Sequence, residues 1–137
     1  MPGQFDPTQT LQSPGVALNA SSGNVAAALA SATLAAFGQS ANLGSASRTT
    51  YITGFELTGG GATAASIITG TITGLMGGTI SFNVAIPVGA TVGITPLVVE
   101  FPTPLPASAQ ATSIVVSFPS FGAGNTNACL NVHGFQL

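Results

Sequence analysis

The 137-residue chain is poor in charged side chains and has four of them: Asp6, Arg48, Glu56 and Glu100. An ordinary globular domain is about a quarter charged. There is no lysine, and a single arginine cannot neutralise the several phosphates that binding to a nucleic-acid backbone involves. We therefore expect no nucleic-acid partner. A surface with so little charge can pack against another protein without the cost of desolvating charged groups.

The chain also lacks long apolar runs and a second cysteine. Ser, Thr, Gly or Pro interrupts the apolar residues every few positions, so no run approaches the ~20 apolar residues of a membrane-spanning helix. The start, MPGQFDPTQT, has neither the basic nor the apolar region of a secretory signal. Cys129 is the only cysteine, which excludes an intramolecular disulfide, and we expect it in the core. We predict no membrane partner, and a fold held by packing or by association with other chains.

Residues 1–23 contain three prolines among Gly, Ser and Gln and show no hydrophobic period, which predicts an extended N-terminal arm. Ordering such an arm costs about 1 to 2 kcal/mol per residue. To offset this cost at about 25 cal/mol per Å², the arm must bury on the order of 1000 Å² of apolar surface. A single domain cannot easily offer that surface, so we expect the arm to lie on a neighbouring chain. Its apolar contact residues are Phe5, Leu11, Val16 and Leu18.

From residue 24 onward the pattern is that of β-strands, and we assign residues 24–137 to one domain. In TISFNVAI, residues 79–86, large apolar residues alternate with small or polar ones, a period of two that buries one face. Further strands are predicted, with Gly- and Pro-rich turns between them, at 51–57, 66–75, 97–101, 114–118 and 127–136. The predicted fold is all-β, an antiparallel β-sandwich of the jelly-roll or immunoglobulin-like type. The strand order is not readable from the sequence.

The Ala-rich segment 24–37 is ambiguous, because alanine has the highest helix propensity. Its larger apolar residues would give only a thin helical stripe: they are Val25, Leu29 and Phe37. The same residues also fit one face of a strand, and we favour the strand.

The inventory of catalytic and metal-binding side chains is almost empty, so we predict no enzyme activity, cofactor, metal or small-molecule substrate. His133 has no obvious Cys, Asp or second His nearby, and a structural or surface role fits it better than a role as base or metal ligand. Glu56 and Glu100 occupy outward strand positions, where they would either form a carboxylate pair or, as we favour, keep strands from pairing indiscriminately. Together with Arg48 they are the candidates for ion pairs. The alternative for Arg48 is a side chain that is simply solvated.

Sugar binding is disfavoured by the scarcity of exposed aromatic faces. The chain has no tryptophan and one tyrosine, Tyr51. The alternation in 51–57 places Tyr51 on the core side of its strand, together with Phe55 and Leu57.

From about residue 23 onward, the order of segments resembles small virion proteins encoded by tailed bacteriophages. The likeness rests mainly on TYITGFELTG, FPTPLPASA and GAGNTNA, and with the intervening strands it covers about four fifths of the chain. The type that it resembles is the capsid decoration, or cement, protein. The resemblance implies a β-sandwich, commonly a homotrimer, that binds the major capsid protein on the outer surface of the virion and stabilises the shell. It also implies synthesis in the cytoplasm of the bacterial host. The arm is not covered by the likeness.

The leading hypothesis is therefore a structural cement protein. The alternative is a head-fibre or tail-associated adhesion module that recognises the host surface through its loops at 87–93, 102–109 and 121–127. An enzymatic interpretation is the weakest, because it requires a hidden site around His133, Glu56 and Glu100.

Overall fold

The computed structural model describes residues 16–34 and 48–137, which form eight strands and, within these two ranges, no helix. The strands are β1 (Val16–Val25), β2 (Ala30–Leu34), β3 (Thr50–Gly59), β4 (Ser66–Thr73), β5 (Ile80–Ile86), β6 (Leu97–Pro106), β7 (Ile114–Phe118) and β8 (Ala128–Gln136). The predicted all-β fold is confirmed. Nothing in the described ranges is a helix long and apolar enough to span a bilayer.

The strands form two four-stranded sheets with antiparallel neighbours. Sheet A has the order β1-β8-β3-β6, and sheet B has the order β2-β7-β4-β5. The first strand thus pairs with the eighth, the second with the seventh, the third with the sixth and the fourth with the fifth. This wrapping of a chain into nested pairs is the jelly-roll arrangement, so the structure selects one of the two sandwich types expected from the sequence.

The core lies between the two sheets and is built from their inner faces. Phe55 of β3 reaches across to Phe82 of β5 and Phe118 of β7, with ring centroids 5.1 and 5.9 Å apart. The largest fully buried apolar side chains come from both sheets and one loop: Phe55, Phe118, Phe121, Leu34, Ile52, Leu57, Ile72, Ile86, Ile114, Leu130 and Val116. The alternation predicted for 79–86 holds, because the even-numbered residues of β5 face this core and the odd-numbered ones are exposed.

The boundary that we expected at residue 23 differs from the structure. Residues 16–23 form most of β1 and pair with β8 of the same chain. Leu18 packs against the chain's own core, and Val16 lies opposite Gln136 in the sheet. The period-two pattern here (VALNAS) has only one large apolar side chain, Leu18, so it was masked by the nearby prolines and glycines. Phe5 and Leu11 lie outside the described residues.

The strand interpretation of the Ala-rich segment is confirmed for Ala30–Leu34, which is β2. Residues 26–29 form the connection between β1 and β2. Ala27 has a backbone φ of 47°, a left-handed conformation that breaks any continuous strand through this segment. Phe37 lies outside the described residues.

Tyr51 faces outward, contrary to our expectation. Relative to β8, strand β3 has one extra residue, Thr53, between the pairs that Ile52 and Gly54 make. A one-residue bulge reverses the faces of the residues before it, so Ile52 points into the core and Tyr51 points out. Its ring stacks on that of Phe135 at a centroid distance of 5.0 Å and an interplanar angle of 12°.

Candidate functional site

The outer face of sheet B is free of charge across all four of its strands. The outward side chains are Ser31, Thr33, Ile67, Thr69, Thr71, Thr73, Ser81, Asn83, Ala85, Val115 and Ser117, which we call the neutral face. The register places Thr71 of β4 between Ser81 of β5 and Ser117 of β7. Small and β-branched residues of this kind suit a pleated surface.

Hydroxyl groups on the neutral face can form hydrogen bonds with one another or with polar groups of a partner protein. The Thr69 hydroxyl donates to Oδ1 of Asn83 on the neighbouring strand at 2.7 Å. Hydrogen bonds between neutral groups are cheaper to exchange on binding than charged ones, because removing an ion from water costs several kcal/mol more. The neutral face can therefore be covered by another protein at low desolvation cost.

The uncharged surface continues onto one end of the sandwich, which we call the loop end. It consists of the connections 26–29, 60–65, 87–96 and 119–127, and none of these described segments contains a charged residue or a histidine. Three large apolar side chains of these loops are exposed: Leu29 at 57%, Val88 at 60% and Val92 at 49%. Ile67 at 73% exposure stands where the neutral face meets this end. Apolar side chains exposed together are typical of protein contact surfaces.

Asn125 organises the loop end. Its side chain is buried, and its amide nitrogen lies 3.0, 3.1 and 3.0 Å from the carbonyl oxygens of Gly60, Gly61 and Asn127. Two of these oxygens belong to the Gly-rich stretch that follows β3. A Cβ atom on Gly61 would collide with the carbonyl oxygens of Pro87 and Gly89, so glycine is required there for the loops to meet. The sequence showed a turn at this point, but not the approach of three backbone segments.

The outer face of sheet A differs, because it carries a hydrogen-bonded row of polar side chains. His133 of β8 lies opposite Asn19 of β1, and its Nδ1 is 2.9 Å from the Asn19 Oδ1. Its Nε2 is 2.9 Å from Oε1 of Glu56 on β3. The His133 and Glu56 side chains are 42% and 37% exposed, so the contact is a surface ion pair when the imidazole is protonated.

The structure brings the three residues of the enzymatic hypothesis to one groove. His133, Glu56 and Glu100 line a hollow of about 540 Å³ beside the β3 bulge, together with Thr53. Both ring nitrogens of His133 are already occupied by oxygens of Asn19 and Glu56, so neither contacts the Thr53 hydroxyl. Within residues 16–34 and 48–137, no group of three or more His, Cys, Asp and Glu side chains is placed to hold a metal ion.

Arg48 is remote from these carboxylates. It precedes Glu56 by eight positions on or next to β3, a separation of roughly 25 Å in an extended strand. Its Nη1 donates to the carbonyl oxygen of Gln136 at 3.5 Å. Of the three candidates for ion pairs, Glu56 thus contacts His133, Arg48 contacts backbone, and Glu100 remains exposed at the groove.

Cys129 is half-buried on the outer face of sheet A and not in the core. Ala128 and Leu130 take the inward positions on either side of it. Its sulfur lies 4.0 Å from the Ser21 hydroxyl and 3.9 Å from the Asn131 amide nitrogen. A small apolar residue flanked by two others gives no alternation, so the sequence could not indicate its face.

The three loops of the adhesion hypothesis do not form one surface. Loops 87–93 and 121–127 meet at the loop end, where Gly60 pairs with Gly93 and the Thr63 amide donates to the Ala123 carbonyl. Segment 102–109 lies at the opposite end of β3, because the Ala107 amide donates to the carbonyl of Thr50 at 2.8 Å. Ten residues of β3 separate these two ends.

Neither the protein-family models nor the curated proteins and solved structures with which we compared the chain contain a match to it.

Proposed function

We propose that this chain is a structural protein of a bacteriophage virion, a decoration or cement protein that lays its neutral face and loop end against the outer surface of the capsid. One observation carries the proposal. The described charged side chains Arg48, Glu56 and Glu100, and the histidine His133, belong to sheet A or its end, while the described part of the chain places no charged residue or histidine on the neutral face or the loop end.

The distribution of charge supports a contact role for sheet B. The cores of protein interfaces are depleted of charged residues. Here the depletion covers a whole sheet face and the adjoining end, which is more surface than a single small ligand requires. The jelly roll adds support by analogy alone, since viral capsid domains are among the proteins that use it.

The proposed mechanism is stabilisation by binding. A protein that binds the assembled shell, and not separated capsid subunits, stabilises the shell by its binding free energy. The partner is the major capsid protein, and weak contacts from the copies in a homotrimer add up through effective concentration. Sheet A, with His133, Glu56 and Glu100, then faces solvent and keeps the decorated surface hydrated.

The first test is the number of copies of this protein per particle. Quantitative mass spectrometry of purified particles, and of separated heads and tails, would measure its ratio to the major capsid protein. A ratio near one, confined to heads, is the expected result. A handful of copies, or a location in tails, would reject the cement role and favour the adhesion module; absence from particles would reject both.

A further inference from the structure

The four edge strands of the sandwich are protected to very different degrees. Sheet A ends in β1 and β6, and sheet B ends in β2 and β5. Unprotected edges recruit other strands, so proteins interrupt them with prolines, charges, bulges or short length. Strand β6 carries three prolines and Glu100, β1 has a register shift between Ser21 and Asn24, and β2 has five residues.

Strand β5 has none of these protections. Its sequence, ISFNVAI, contains neither proline nor charge, and it pairs with β4 from Ile80 to Ile86 without a register shift. Ile80 and Phe82 point toward the core but remain half-buried. Hollows of about 120, 220 and 570 Å³ lie beside Ile80, Val84 and Ile86 respectively, so open space follows the edge along its length.

We propose that β5 accepts residues 8–13 of a neighbouring copy as a fifth strand of sheet B. The sequence of this run is TQTLQS, which lies between Pro7 and Pro14 and outside the described residues. It is the longest run within residues 1–15 that contains neither proline nor charge, and prolines are what would interrupt a pairing ladder. In such strand addition, the main chain provides affinity and alternate side chains provide specificity. Leu11, its one large apolar residue, covers the half-buried Ile80 or Phe82.

The length of the connection requires that the acceptor belongs to another copy. Ser13 precedes Val16, the first residue of β1, by three positions and so lies no more than about 10 Å from it. Strand β1 lies against β2, and β7 and β4 separate β2 from β5 in the same sheet. Three strand spacings and the gap between the sheets put the chain's own β5 at roughly 17 Å from β1. The run therefore reaches a β5 edge only on a neighbouring molecule.

Because each copy donates one segment and accepts another, the exchange is either reciprocal within a two-fold dimer or head-to-tail. Head-to-tail contacts close into rings when the rotation permits, and a homotrimer is one such ring. The inference concerns association between copies and does not depend on the proposed binding to a capsid. If this inference fails, the expected number of copies per particle stays the same. If the copy-number test fails, self-association through β5 is still expected.

Matched variants of the full-length chain test both partners of the contact. Leu11→Asp should raise the dissociation constant for self-association by at least about tenfold, or 1.4 kcal/mol. Gln4→Asp adds the same charge outside the run and should change it less than about twofold. Ser81→Lys on β5 should weaken association, while Thr71→Lys, its cross-strand neighbour on an interior strand, should not. Analytical ultracentrifugation measures all four. A monomeric full-length chain, or equal effects within either pair, would overturn the proposal.

A synthetic peptide of residues 1–15 gives a readout that does not depend on the folding of variants. The unmodified peptide should compete with self-association of the full-length chain. In a β-ladder, alternate residues direct their amides toward the partner strand. N-methylation of Gln9 and Leu11 or of Thr10 and Gln12 should therefore weaken competition at least about tenfold for one pair and leave the other intact. No competition by the unmodified peptide, or equal competition by both methylated forms, would reject strand pairing.

Discussion

The two outer faces of this jelly roll are each built on four strands and differ in chemistry. Each sheet has four strands, and each contributes large apolar side chains to a shared core. On the outside of sheet A, His133 links Asn19 and Glu56, and Tyr51 stacks on Phe135. The outside of sheet B has hydroxyl, amide and small apolar side chains, with no charged residue among its four fully described strands.

This contrast shows how a chain with four formal charges distributes them over its surface. The positions of the few charged groups are more informative than their number, because burying a neutral face costs less desolvation free energy than burying a charged one. Sheet A has the chemistry of a solvated face. The outer face of sheet B has the uncharged composition that is typical of the cores of protein interfaces.

The largest effect on stability is expected from a substitution in the core between the two sheets. Gly70 of β4 faces the core, and a Cβ atom there would collide with the ring of Phe118, which is fully buried and cannot move aside. Gly70→Val should lower the free energy of unfolding by about 3 kcal/mol through overpacking. Urea unfolding followed by circular dichroism measures the change.

The control for Gly70 is its neighbour Thr71, which points the other way onto the neutral face. Thr71→Val keeps the β-branched shape, and we expect a change within about 0.5 kcal/mol. Equal costs at the two positions would contradict the assignment of inner and outer faces in β4. Gly70→Ala should cost less unfolding free energy in a Phe118→Leu background than in the original chain, because the smaller side chain makes room for the added methyl group.

The next largest effect concerns the loop end. Asn125→Ala removes the buried donor to the carbonyls of Gly60, Gly61 and Asn127, and should cost about 2 kcal/mol of unfolding free energy. Asn125→Asp should cost more, because it places a carboxylate against the same three carbonyl oxygens. The control is the exposed Asn127. Among the described hydrogen bonds, its side chain makes one only with its neighbour Thr126. Asn127→Ala should change stability by less than about 0.5 kcal/mol.

The contrast between the faces is tested directly by a pair of lysine substitutions at exposed threonines on interior strands. Thr73→Lys places a charge on the neutral face, and Thr58→Lys places the same charge on the outer face of sheet A. If sheet B contacts the capsid, Thr73→Lys should weaken binding to heads by about tenfold, equivalent to 1.4 kcal/mol. Thr58→Lys should change it less than about twofold. Co-sedimentation with heads stripped of the protein measures both, and a larger loss for Thr58→Lys would reverse our assignment of the contact face.

Much of the fold was predictable where the alternation of side chains was strong. Residues 79–86 alternate large and small, and the structure confirms both the strand and its buried face. Prediction failed where the pattern was weak or interrupted. Residues 16–23 have one large apolar side chain, Leu18, in their alternation, and Tyr51 lies beyond a bulge at Thr53 that no local feature of the sequence marks. Alternation assigns side chains to the two faces of a strand only up to the next bulge, because the extra residue reverses the faces beyond it.

The neutral face was predictable in composition but not in extent. The Thr- and Ser-rich strands indicated a surface without charge, but it took the strand order to show that β2, β7, β4 and β5 lie side by side. The contact between His133 and Glu56 joins residues 77 positions apart, and Asn19 is 114 positions from His133. Contacts of that range depend on topology, which the sequence pattern of single strands does not contain.

The smallest effect is expected on the charged face itself. Because His133 and Glu56 are both more than a third exposed, their ion pair should contribute little to stability. A double-mutant cycle with His133→Ala and Glu56→Ala should give a coupling energy of about 0.5 kcal/mol at low salt, reduced further in high salt by screening. Asn19→Ala serves as the control, since it removes the neutral partner and should show no salt dependence. A coupling above about 2 kcal/mol would mean that water is excluded from the pair. Sheet A would then be covered in solution, and the contrast between a solvated face and a contact face would no longer hold.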